Sequence, residues 1–96
     1  MHTYFEWDPS KAQRNLDKHG VSIRRAASVF RDPNALSKYD EEHSDEEDRW
    51  VTLGLDEGDV LLVVHHTFRE EDEQKSTIRI ISARKATKRE KKQYQE

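Results

Sequence analysis

The 96-residue chain is 39% charged and 32% hydrophobic, with 17 Lys and Arg against 20 Asp and Glu. That length makes a single domain, residues 1–96, with a small core. The lack of cysteine excludes disulfides, thiolate nucleophiles and cysteine metal ligands. The net charge of −3 averages over separated blocks. Residues 40–48 hold seven acids and no Lys or Arg, residues 70–73 add four acids, and residues 79–92 hold seven bases and one acid. A basic patch on a net acidic chain is a weaker nucleic-acid signal than a basic domain, and long-range steering toward a polyanion is poor. There is neither a leader pattern nor an apolar run near eighteen residues. A cytoplasmic chain without membrane contact is therefore expected.

In chain order, residues 2–7 read as an aromatic-rich first strand. Asp8 and Pro9 suit the N-cap and first position of a helix, which Gly20 stops. Ser22 caps a second helix, whose Ile23, Ala26, Ala27 and Phe30 form an apolar stripe at helical spacing, and Asp32-Pro33 ends it. Residues 35–39 are a weak strand and 49–55 a better one, closed by a turn at Gly58. Residues 60–68 hold five consecutive apolar residues, which points to a central strand covered on both faces. Residues 69–76 read as a surface loop and 77–83 as the last strand. Thr87-x-x-Glu90 then has capping-box spacing for a final helix. The order is βααββββα: an α+β domain with an antiparallel sheet, two N-terminal helices and a C-terminal helix.

The last strand running into a basic helix is the chemically suggestive part. Arg84, Lys85, Lys88 and Arg89 surround the helix start, where unpaired N–H groups and the helix dipole favour an anion such as phosphate. A solvated basic tail is the simpler alternative. Lys18 and His19 suit the C-terminal end of the first helix as cations, and His19 is also a side chain fit for proton transfer near neutral pH. Arg49 opens a strand directly after seven acids, as their counter-charge or as a further cation of a site. Arg79 lies on the strand face opposite Ile78 and Ile80. Tyr94 shares a helix face with Glu90 and Thr87 and is placed either to dock that helix or to act in the site. His65 and His66 are strand neighbours that point to opposite faces and cannot chelate one ion together. No metal or cofactor is expected.

Phe5-Glu-Trp-Asp8, Asn15-x-x-Lys-His-Gly20, Asp32-Pro33, Arg49-Trp50, Gly54 and Arg79-Ile-Ile-Ser-Ala-Arg84 with Arg89-Glu90 and Tyr94 together resemble the BrnT toxin family over nearly the full length. The resemblance implies a RelE-like fold and a bacterial type II toxin that is a ribonuclease, an mRNA interferase that inhibits translation. Its implied partners are RNA, the ribosome as a site of action, and a BrnA-type antitoxin with a DNA-binding domain, through which alone operator DNA would be reached. On this basis Arg84 and Arg79, with Arg49, are expected to stabilise charge on a phosphate. His19 and Tyr94 are expected to move protons, and Lys18, Lys85, Lys88 and Arg89 to hold flanking phosphates of RNA. A non-catalytic antitoxin-binding co-repressor and a generic RNA-binding module are the competing readings.

Overall fold

The computed structural model describes residues 2–95. Its elements are β1 (His2–Glu6), α1 (Pro9–His19), α2 (Ile23–Ser28), β2 (Leu36–Tyr39), β3 (Arg49–Leu55), β4 (Leu61–Thr67), β5 (Arg69–Glu70), β6 (Lys75–Lys85) and α3 (Lys88–Gln95), with 3-10 turns at Val29–Arg31 and Glu41–His43. The sheet order is β1-β6-β4-β3-β2, with β5 pairing β6. β4 is central, and its first four residues are buried, as the apolar run requires.

The capping chemistry falls where the sequence puts it. The Asp8 carboxylate accepts from Ser10 N at 2.9 Å, and Gly20 ends α1 at φ 69° with its N–H on Leu16 O. Ser22 Oγ accepts from Arg25 N at 3.2 Å at the start of α2. The 56–59 turn differs in detail. Its left-handed residue is Asp59, at φ 62°, while the buried Asp56 carboxylate gathers the N–H groups of Gly58 and Val60 and the Nε of Arg25.

The α+β class holds, with one edge of the sheet differing from expectation. β1 runs parallel to β6, pairing His2 with Lys75 through Glu6 with Arg79, so the sheet is mixed. No hairpin ties these two strands to an antiparallel arrangement, and the intervening helices supply the crossover that parallel pairing needs. The 69–76 connection is also shorter than expected, because β5 pairs Arg69 with Thr77 and β6 already begins at Lys75.

α1 and α2 cover one face of the sheet. Val21, Ile23, Ala26 and Val29 pack there on Leu62, Val64, Ile78, Ile80 and Ala83, each large aliphatic contributing about 1.5–3 kcal/mol by leaving water. Gly54 lets the Val29 turn lie close on β3, since a Cβ there would meet Val29 Cγ1 at 2.8 Å. β1 pairs β6 only as far as Arg79. Farther along that edge the buried Asn15 side chain takes over, accepting from Ala83 N at 3.1 Å and donating to Ala83 O at 2.9 Å and Val21 O at 3.0 Å. A backbone edge that would otherwise lie buried and unpaired is thus satisfied.

Candidate active site

The opposite face of the sheet is only partly covered. Leu53, Leu61 and Val63 form a second apolar cluster there with Val51, Leu55, Ala86 and Tyr94, and α3 lies over that half. Alternation along β3 places Arg49 on the same side as Val51 and Leu53. Val63 pairs with Arg84, and His65 with Ser82, across β4 and β6; directly opposed residues share a face, so these four are on it as well. Arg79 lies between the core residues Ile78 and Ile80 and therefore points the same way.

Arg79 and Arg84 are five positions apart, and unbroken alternation would send them to opposite faces. The register shifts between His65, opposite Ser82, and His66, opposite Ile80. Ile81 is the extra residue of a β-bulge, a device that re-aims side chains. It brings Arg84 round to join Arg79 and Arg49, so three arginines stand on one open sheet face.

Their present counter-charges are carboxylates from this chain. Glu47, in the acidic segment, bonds Arg79 Nη2 and sits 3.5 Å from Arg49 Nη2. The Arg79 hydrogen bond holds the Glu47 carboxyl below the usual range. Arg49 Nε is buried and has no hydrogen-bond partner among the described residues, an unmet donor of the kind that folded proteins seldom retain. Arg84 grips Glu90 with both terminal nitrogens, each at 2.8 Å, in the fork geometry that also fits phosphate. That grip, more than any other contact, brings the Glu90 carboxyl down to about 2. Glu90 simultaneously closes the capping box, accepting from Thr87 N at 2.8 Å while its own N–H meets Thr87 Oγ1 at 3.2 Å. The anion position expected at the start of α3 is thus occupied by a side chain of α3 itself.

The other expected site residues are more dispersed. Lys85, Lys88 and Arg89 are exposed around the start of α3. Tyr94 is at the far end of that helix, where its hydroxyl donates to Asp32 Oδ2 at 2.5 Å; that bond pushes the phenol up to about 12. His19 and the exposed Lys18 end α1, which packs on the other face of the sheet. The geometry therefore unites Arg49, Arg79 and Arg84 and does not bring His19, Lys18 or Tyr94 to them. His19 is across the sheet, and Tyr94 is tied to Asp32.

Three features of this face escaped the sequence reading. Glu47 was one acid among seven. Ser82 and His65 became visible only when β4 and β6 were in register, although His65 does alternate with Val63 and Leu61 along its strand. Among the described residues, no group of three or more His, Cys, Asp or Glu side chains is arranged to hold a metal ion, and no helix is long and apolar enough to cross a membrane.

The family model described as the ribonuclease toxin BrnT of type II toxin–antitoxin systems matches residues 7–90. This chain belongs to the BrnT toxin family. A search of curated proteins finds no match. Among solved structures, the 1.1 Å crystal structure of the Brucella abortus ribonuclease toxin BrnT superposes with a TM-score of 0.60 at 20% identity, covering 92% of this chain and 100% of that one. At that identity the likeness speaks for the fold, and the BrnT fold is the one described above. Membership in a type II toxin family carries with it an antitoxin partner and RNA as the class of substrate.

Proposed function

We propose that this BrnT chain is a metal-independent endoribonuclease that inhibits translation by cutting RNA on the arginine face of its sheet. The observation that carries the reading is the convergence of Arg49, Arg79 and Arg84 on one open face, against carboxylates that a phosphate can displace. The terminal nitrogens of Arg49 and Arg79 share the single Glu47 carboxylate, so a phosphate entering there would meet two guanidinium groups.

In the reaction, the ribose 2′-OH loses its proton and O2′ attacks the adjacent phosphorus in line. The P–O5′ bond then breaks, leaving a 2′,3′-cyclic phosphate and a 5′-OH. The guanidinium groups stabilise the extra negative charge of the five-coordinate phosphorane. Lys88 and Arg89 extend the cationic surface for neighbouring phosphates, which set register on the face, whereas Lys85, opposite the core residue Leu62, points to the helical side. Proton transfer is assigned to another group on the arginine face, since His19 lies across the sheet and the Tyr94 hydroxyl is tied to Asp32. The implied antitoxin is of BrnA type, and any contact with operator DNA runs through it. The setting is the bacterial cytoplasm, with free or ribosome-bound RNA as substrate.

The test is end-group analysis of RNA incubated with purified chain in EDTA, alongside Arg84→Ala. Wild type is expected to leave 5′-OH and cyclic or 3′-phosphate ends. Arg84→Ala should lose roughly 10²–10³-fold in rate, the cost of one charge-stabilising contact, with its circular dichroism melt and antitoxin complex retained. Equal cleavage by both proteins would remove Arg84 from the site. One observation favours a second reading: Glu47 and Glu90 already neutralise Arg79 and Arg84, as in a non-catalytic subunit that only binds its antitoxin. Growth arrest by the chain expressed without antitoxin excludes that reading, and normal growth supports it.

A further inference from the structure

We propose that His65 is the catalytic base of this face, taking the 2′-OH proton; the inference rests on the ribonuclease reading above. His65 stands on central β4, paired with Val51 across β3 and with Ser82 across β6. Val63, two residues before it on β4, pairs with Arg84, so Arg84 is a diagonal neighbour of His65 on the same face. On the other side Thr67, two residues later, pairs with Arg49, and its Oγ1 accepts from the Arg79 N–H at 3.3 Å. By register, His65 therefore stands between Arg84 on one side and Arg49 and Arg79 on the other.

The ring is half-buried and lines a cleft of about 550 Å³ with Lys38, Tyr39, Asp40, His43 and Val51. The next residue, His66, makes an internal contrast. It points to the helical face, with Nε2 bonded to Thr52 at 2.6 Å and Nδ1 to the Thr67 carbonyl at 2.9 Å. His66 is fully engaged in structure, whereas His65 opens onto the cleft.

The groups that face His65 set its charge. Burial lowers its pKa first and the Arg84 charge second; His43 acts the same way, while Asp40 and Glu90 oppose them. Lys38, Glu41 and Glu42 complete the lining. The net lowering leaves the imidazole neutral at neutral pH, the form in which it accepts a proton. After attack, the departing O5′ takes a proton from water and the imidazolium returns its own to solvent, so protons balance over the turnover.

The experiment compares full-length wild type, His65→Gln, His65→Asn, His43→Gln and Arg84→Ala in RNA cleavage from pH 5 to 9. Binding is followed by anisotropy of a 2′-deoxy-substituted RNA, and folding by circular dichroism. Wild-type kcat/KM should rise with pH through a midpoint below the ordinary histidine value and then level off. The imidazole resonances of His65 should titrate at that same midpoint. Both His65 variants should lose roughly 10²–10⁴-fold in kcat/KM and lack the acidic limb, while binding the uncleavable RNA within about twofold of wild type. Unchanged rate and profile in a folded His65 variant, with Arg84→Ala inactive, would sink the proposal and spare the ribonuclease reading. Loss of the acidic limb in His43→Gln alone would transfer the role to His43, which Asp40 holds at Nδ1 at 2.9 Å. A wild type inert on free RNA and on translating ribosomes would overturn the reading and the proposal together.

Discussion

The hydrogen-bond chain through His66 has a fixed direction. The Thr67 carbonyl can only accept, so Nδ1 carries the proton and Nε2 must accept from the Thr52 hydroxyl. Thr52 Oγ1 in turn accepts from Ser37, at 2.7 Å. A second proton on the ring would oppose a donor to a donor in a side chain only 4% exposed. Burial accordingly lowers the His66 pKa. A histidine whose folded pKa is depressed is neutral in the folded state, while the unfolded chain takes up a proton as pH falls below about 6.5. Stability is thus full above that pH and falls as the solution is acidified through the folded pKa. His65 adds to the same slope. Thermal melts from pH 8 to 5 should show a declining Tm, and a His66→Phe variant, itself less stable, should show a shallower decline. Asp56 acts in a lower window. Burial works against its charged form, but the Val60 N–H, Arg25 and the Gly58 N–H outweigh it and hold the carboxyl below the usual range. Its contribution is present above the ordinary aspartate value and is lost as pH falls through the folded one.

Among the elements, the acidic segment before β3 gains a role from its position. Glu47 reaches from it to Arg79 and Arg49, so part of the segment stands where substrate charge is expected. Glu47→Gln should tighten binding of an uncleavable RNA by roughly two- to fivefold, about the effect of an exposed ion pair; anisotropy titrations of both proteins check it. Weaker binding would show that Glu47 orders the arginines more than it competes with the ligand. The sequence also carried an element-level message in Asn15-x-x-Lys-His-Gly20 that only the structure made clear. Asn15 satisfies the edge of β6 and Gly20 stops α1, so two of its residues are architectural. The helices, their caps and the central strand were legible because each rests on local chemistry. The parallel β1–β6 pair was not legible, because no local signal records which strands separated by some seventy residues will meet.

For the whole molecule, a net charge of −3 hides a surface on which the acidic segment and the basic α3 flank one open face. RNA binding should be short-ranged and sensitive to salt. Three guanidinium groups with Lys88 and Arg89, each neutralising one phosphate of a single strand, give a slope of about 3.5 for log Kd against log salt concentration. Arg84→Ala should lower that slope by about 0.7. A slope near zero, measured between roughly 50 and 200 mM salt, would mean that the arginines do not meet phosphates. Composition gave the cationic end of this surface, and the three arginines were named from the sequence. Their meeting depended on cross-strand register and on one irregular residue, which no periodicity along a single strand reports.

That residue, Ile81, acts as a half-cycle phase shift in β6. Substituting it leaves the parity of the strand intact. With every residue kept, straightening the strand would set the segments on its two sides at odds. If the Ile78–Ile80 segment keeps its register, Ala83 leaves the core and Arg84 enters it. If the Ala83–Arg84 segment keeps its own, Arg79 is driven under the helices. Deleting Ile81 instead leaves Arg79 and Arg84 four positions apart, so plain alternation keeps both on the open face, with Ile80 and Ala83 in the core. The bulge is thus a removable insertion, and a chain lacking Ile81 should keep the faces of β6 on a straighter strand.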